Sequence, residues 1–440
     1  MKLIPDAAIV RSGLSAHAAI GLLAGALLYL VCLSGTALVF YEELQRFEQP
    51  AAPEMERIAP EAVQRAVVAV LDSERGKPAT THLYVHLPVP ELPRTTITTD
   101  SQAVHVDEGG RIAAPEQNLW SEFLYALHYT LNLPALVGIT LVGMLGMLMV
   151  ALSISGILAH PRIFRDAFRL RARHGGGVGL ADWHNRLSVW TLPFSLAIAI
   201  TGAVIGLATV SAYALGARYY GGDPEAVYAP IFGKEARPDA ARAPAPDVAS
   251  ALRYMARNHP DVAITYAILH DPGTAGQHVQ IVGTHARRLI FGEYYLFDAR
   301  GRFEGTAGLA DGALGQQAAA SNYNLHFGNY GGLPVKLAYC LFGLALTVVS
   351  ATGVHIWLGK RRRRGHREPR LRAAWNGLVW GAPAALVLTL AARLVLGNAV
   401  PFTALFWSVL ALAIAVAVTA AHLAARRPDL AEGPQVQPAE

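Results

Sequence analysis

Six apolar runs punctuate the chain, at 16–41, 137–159, 187–214, 335–358, 377–397 and 402–425. Each is close to the roughly 20 residues a helix needs to cross the hydrocarbon core. A backbone at that depth must satisfy its own polar groups, so the pattern predicts a membrane all-α helical bundle of about six spans. Two long polar segments between them follow other periods. In 60–74 (PEAVQRAVVAVLDSE) apolar positions recur at helical spacing, and LYVHL, TTITT and AVHVD then alternate as short strands. The second polar segment repeats the order: a helix at 248–257, then AITYAIL, HVQIVG, RLIFG and EYYLFD as strands. Each reaches a turn signature, Asp107 to Arg111 and Asp298 to Arg302, in which Asp bonds its own backbone and Gly supplies a positive φ.

The pattern is duplicated, and internal repeats govern everything read afterwards. Leu127-His128 opens a stretch ending in a basic block at Arg162, and Leu325-His326 opens its echo, which ends at Arg364. The apolar helices within them reach Ser155-Gly156 and Thr352-Gly353. His17 likewise opens a run to Ser34-Gly35, and His184 one to Thr201-Gly202. Position alone thus singles out His17, His128, His184 and His326. The expected organisation is an N-terminus and first span (1–41), a small α+β module (42–125), a second span (126–161), a basic loop (162–186) and a third span (187–215). A second α+β module (216–332), a fourth span (333–359), a basic loop (360–376), spans five and six (377–425) and a tail (426–440) complete it. The first span reads as an uncleaved signal anchor.

Charge supplies orientation. The chain carries a net +5, but its basic residues occupy short stretches at alternate helix ends: Lys2 and Arg11, Arg162 to Arg173, Lys360 to Arg372, and Arg426-Arg427. That distribution puts both termini in the cytoplasm and the two modules outside, and it argues against a nucleic-acid partner. Cys32 and Cys340 both fall in spans without ligand spacing and read as packing residues. The Gly-rich basic loop at Arg171 to Gly177 lacks Gly-Lys-Ser/Thr and a preceding strand, so it reads as a connector. No Gly-x-Gly-x-x-Gly joins a strand to a helix, which removes a flavin or nicotinamide domain.

Ionisable groups at membrane depth point to function, and imidazole is a good axial ligand of haem iron between apolar helices. His17, His160, His184 and His355 fall near the inner ends of spans one to four, and His128 and His326 at the outer edge. A set near each face is what two stacked haems require. The repeat pairs His128 with His326 outside and His17 with His184 inside. His355 has no counterpart in the first half, where Leu158 stands, and could replace either inner ligand. His160 reads as structural, and His174, His366 and His422 as non-ligands. The outside histidines, His82, His86, His105, His259, His270, His278 and His285, appear singly and without metal-hydrolase spacing.

Several motifs together resemble the PepSY-associated transmembrane proteins: His17-Ala-Ala-Ile-Gly21, SGTALVFYEEL, SGILAHPR, the DWHN at His184, LHFGNYGG and TGVHIWLGKRRRR. The resemblance covers about residues 11–365. It implies PepSY modules outside and a bacterial inner-membrane location. In that family the ferrioxamine reductases carry haem b and pass electrons to a ferric siderophore in the periplasm. Carried over residue by residue, it implies His128 and His326 as outer ligands and His17 with His184 or His355 as inner ones. The resulting expectation is a ferric-siderophore reductase with two haems b, releasing Fe(II) and fed by a cytoplasmic partner or by quinol. Tyr323, Asn329 and Tyr330, beside His326, would line the outer entrance to the substrate. The rival expectation is a haem-free sensor or binding protein that uses the modules on a peptide or a protease.

Overall fold

The structure is a computed structural model that describes residues 6–168, 178–233, 239–286 and 288–426. The basic loop at Arg171 to Gly177, with His174, and the residues Lys2, Arg427 and the tail lie outside the described residues. Helix α1 (Ala7–Leu38) is followed by α2 (Tyr41–Glu48), α3 (Pro60–Ser73) and strands β1 (His82–His86), β2 (Thr95–Thr98), β3 (Ala103–Val106) and β4 (Ile112–Pro115). Then come α4 (Leu119–Tyr129), α5 (Ala135–Ala159), α6 (Val178–Trp190) and α7 (Leu192–Tyr219). The order recurs as α8 (Glu225–Phe232), α9 (Val248–Asn258), β5 (Val262–His270), β6 (His278–His285), β7 (Glu293–Phe297), β8 (Phe303–Thr306), α10 (Leu314–Phe327) and α11 (Gly332–Arg363). Two further helices, α12 (Pro369–Leu396) and α13 (Phe402–Ala425), close the chain.

Six of these helices are long and apolar enough to cross a membrane: α1, α5, α7, α11, α12 with the short turn after it, and α13. The chain is a multi-pass membrane protein. The third span starts later than its apolar run suggests, because Pro193 has no N–H to continue a helix. The backbone breaks at Thr191, and His184 sits on the separate helix α6.

Two compact units are interleaved along the sequence: Met1–Leu38 with Glu122–Ala203 and Ala338–Glu440, and Val39–Ser121 with Val204–Leu337. In the first, small residues let helices approach closely, as they do where lipid gives no hydrophobic drive for association. Gly13 of α1 lies against Leu158 of α5, Gly146 of α5 against Ala199 and Ala203 of α7, and Gly377 of α12 against Ile414 of α13.

The second unit holds one eight-stranded antiparallel sheet, in the order β4-β3-β2-β1-β5-β6-β7-β8. This corrects the expectation of two separate modules. Each half alone would leave β1 or β5 as a bare edge with unpaired backbone groups; instead β1 and β5 pair over five residues, from His82↔His270 to His86↔Tyr266. Alternation then sorts the side chains by face. Leu83, Val85, Ala267, Leu269, Val279 and Ile281 pack under Val63 and Val67 of α3 and Leu252 and Met255 of α9. Gln64 of α3 accepts from the Val248 N–H at 2.8 Å, so one helix helps cap the other. The RLIFG stretch is not a strand. Its Ile290 instead joins Leu309 and Ala320 in a smaller core beneath α10.

Both turn signatures form as expected. Asp107 accepts from the Arg111 N–H at 2.9 Å and Asp298 from the Arg302 N–H at 2.8 Å. Gly110 and Gly301 have φ of +79° and +70°. A side chain at either would also strike the start of a helix, at the Ala62 carbonyl of α3 or at Ser250 of α9.

Candidate functional site

Three of the four repeated histidines occupy the first unit, and each lies against the Ser/Thr-Gly pair of a neighbouring helix. His17 of α1 has Nδ1 3.0 Å from the Leu152 carbonyl and 3.2 Å from Ser155 Oγ, both on α5. His184 of α6 has Nδ1 3.0 Å from Thr352 Oγ1 of α11. His128 of α4 has Nδ1 3.0 Å from the Val31 carbonyl of α1. The adjoining glycines leave room for the rings: a Cβ on Gly156, Gly353 or Gly35 would stand 3.3, 3.4 or 2.6 Å from the Cε1 of His17, His184 or His128. Three of the four Ser/Thr-Gly pairs that mark the repeat in the sequence, Ser34-Gly35, Ser155-Gly156 and Thr352-Gly353, are therefore imidazole seats.

These bonds fix tautomers. A carbonyl only accepts, so Nδ1 of His17 and of His128 carries the proton. Thr352 spends its own hydroxyl hydrogen on the Val348 carbonyl at 2.8 Å, so its oxygen accepts from His184 Nδ1–H. All three rings are held through Nδ1–H, which is the form in which histidine binds a metal.

The His17 and His184 rings lie 6.3 Å apart, centroid to centroid, and nearly perpendicular at 86°. Two imidazoles on opposite sides of one iron, with metal–nitrogen bonds of about 2 Å, place their centroids about 6 Å apart. The two rings are thus spaced so that they could hold one iron ion between them. Among the described residues no group of three or more His, Cys, Asp or Glu side chains is arranged to hold a metal ion directly.

The other candidates lie elsewhere. His355 of α11 turns to α12, with its ring 6.4 Å from Trp375 at 84°. His160 caps the end of α5, and His422 of α13 lies 2.8 Å from Arg370 of α12. His326 belongs to the second unit, near the end of α10 beside Phe327. Tyr323, on the same helix, packs against Phe291 at 5.6 Å. Asn329 is exposed and Tyr330 half-buried, between the positive-φ residues Gly328 and Gly331.

The histidines of the sheet are not all scattered singly, as the sequence suggests. His82, His270 and His278 stand side by side on β1, β5 and β6, with ring centroids 4.8 and 4.3 Å apart; the second pair is stacked at 5°. Strand pairing across the seam assembles them, and no spacing in the sequence announces it. Burial, with His278 and His82 adding to it, pushes His270 down to about 4. Burial also brings His86 to about 4, as it does His105, where the Arg94 charge contributes.

A histidine whose folded pKa is depressed takes up protons more readily when unfolded. The stability these three confer is therefore complete above about 6.5 and drains away as pH falls towards about 4. The thermal unfolding midpoint of the sheet should be flat near neutrality and fall through that window. A midpoint that stays constant across it in pH-jump calorimetry would refute the linkage.

The model of the PepSY-associated transmembrane region matches residues 14–360. A Pseudomonas aeruginosa protein described as uncharacterized is 27% identical over 278 residues, which is 58% of this chain and 67% of that relative.

Proposed function

The chain belongs to the PepSY-associated transmembrane family, and on that premise we propose that it is a haem-b oxidoreductase of the bacterial inner membrane. It passes electrons outward to a ferric siderophore in the periplasm and releases Fe(II). The observation that carries this reading is the His17–His184 pair, 6.3 Å apart with both Nδ1 atoms committed to neighbouring helices. His17 and His184 are the inner ligands in this reading, since His355 faces Trp375. His128, held through Nδ1 by the Val31 carbonyl, is an outer ligand.

A bound haem supplies one-electron chemistry at a potential set by its ligands and their surroundings. The protein's share is to hold and orient. Leu152, Ser155, Thr352 and Val31 keep each Nδ1 occupied, so that Nε2 is pre-aimed and little ordering remains when the ligand bond forms. The apolar helices exclude water. With the basic loops inside, the sheet lies in the periplasm, where Tyr323, Asn329 and Tyr330 line the approach of the chelate. Hard Fe(III) is held tightly by oxygen donors, whereas Fe(II) binds them less strongly, so reduction frees the metal.

The deciding experiment is a reduced-minus-oxidised absorption spectrum of the detergent-purified protein with pyridine haemochrome quantitation. Two low-spin haems b per chain are expected, oxidised on addition of a ferric hydroxamate. Protein made under haem-replete conditions that carries none would end this reading and leave a sensor or binding role for the sheet.

A further inference from the structure

The last two helices lie beyond the residues that the family model matches, and α12 is fastened to α1 and α11 near Trp375. Trp375 of α12 is buried and donates its indole N–H to the Ala351 carbonyl of α11 at 3.0 Å. Tyr29 of α1 is buried as well and donates its hydroxyl to the Val379 carbonyl of α12 at 2.7 Å. The two rings are 6.4 Å apart, and Gly25 lets α1 close on Val354 and Trp375. Without water to compete, such side-chain-to-carbonyl bonds join helices at membrane depth.

His355 faces this junction. Its ring meets the edge of Trp375, lies within electrostatic reach of the Arg372 guanidinium and keeps part of its surface exposed. An ionisable ring inside a span is costly unless it has a task. The position also breaks the repeat. Its first-half counterpart is Leu158, which packs on Gly13 of α1. A residue without an echo thus coincides with a helix without an echo.

We infer that His355, Trp375 and Arg372 form a binding site for the headgroup of a lipid-soluble quinol, the electron donor of the activity proposed above. The inference rests on that reading for its redox role. A quinol headgroup is a flat ring with a hydroxyl at each end. Trp375 backs the half-exposed His355 ring, His355 accepts from one hydroxyl and Arg372 donates to the other oxygen, while the tail stays in the bilayer. Both O–H bonds break as the quinol becomes quinone. One proton passes through the His355 ring to water at the basic end of α11, the other leaves the oxygen beside the exposed Arg372 directly to water, and the two electrons reduce two ferric chelates to ferrous. Thr352, which orients His184, lies three residues back on the same helix, so donor site and inner pair share one segment of α11.

The test uses the full chain and an azido-substituted short-tail benzoquinone, irradiated and mapped by mass spectrometry. Wild type should be labelled between Ala351 and Trp380, with excess decyl-benzoquinone suppressing it. His355→Leu should cut labelling by about tenfold, the worth of one hydrogen bond, and His355→Gln should keep most of it. Reduction of the protein by decyl-benzoquinol should fall about 100-fold in His355→Leu, with the dithionite-reduced spectrum unchanged. Labelling elsewhere, or labelling indifferent to His355→Leu, would overturn the inference even with the haem spectrum intact. Haem-free protein still labelled on this peptide would uphold the site and reject its redox role.

Discussion

Purified His17→Ala protein should lose one of two haems and, with it, quinol-driven reduction of a ferric hydroxamate. The loss should exceed the roughly 100-fold that removing a hydrogen-bond partner of a ligand costs, because here the donor itself goes. His184→Ala should give the same phenotype, since the two rings sit 6.3 Å apart as one pair. His355→Ala should keep both haems, because that ring packs on Trp375 of α12. Haemochrome quantitation separates the cases. Two haems remaining in both His17→Ala and His184→Ala would sink the inner assignment, and one haem in His355→Ala would move it to α11.

Gly35→Ala should weaken haem binding at the outer position without removing His128. A methyl there would stand 2.6 Å from Cε1 and 2.9 Å from Nδ1 of His128. The ring must shift to make room, and that shift breaks the alignment set by its Nδ1–H bond to the Val31 carbonyl at 3.0 Å. Haem affinity at that position should drop about 10- to 100-fold, as it does when the orientation of a ligand is lost. The other two seats supply a graded control. The same methyl would lie 3.3 Å from His17 at Gly156 and 3.4 Å from His184 at Gly353. Gly156→Ala should therefore be mild and Gly353→Ala close to silent. The measurement is haem content with the midpoint potential of each haem. An order in which Gly353→Ala is the most damaging would refute the seat geometry.

Much of the architecture can be read in the chain because it is local. Six spans follow from runs of apolar residues, since lipid forces backbone pairing within each segment. The helix at 60–73 follows from its period, and the two Asp-to-Arg turns follow from Asp and Gly chemistry that involves only neighbours. The duplication also marked the histidines and the Ser/Thr-Gly pairs, although not what the pairs do.

What tertiary structure decided is what depends on partners distant in sequence. His17 meets Ser155 across 138 residues and His184 meets Thr352 across 168. A glycine required by a ring on another helix looks, in sequence, like any glycine in a span. The fusion of two four-stranded halves through β1 and β5 joins His82 to His270, and edge strands carry no signal naming their partner. The direction of His355 was open for the same reason. Helix periodicity gives the angle of a side chain around its own axis, while packing decides which neighbour stands there, and here that neighbour is Trp375 of a helix outside the repeat.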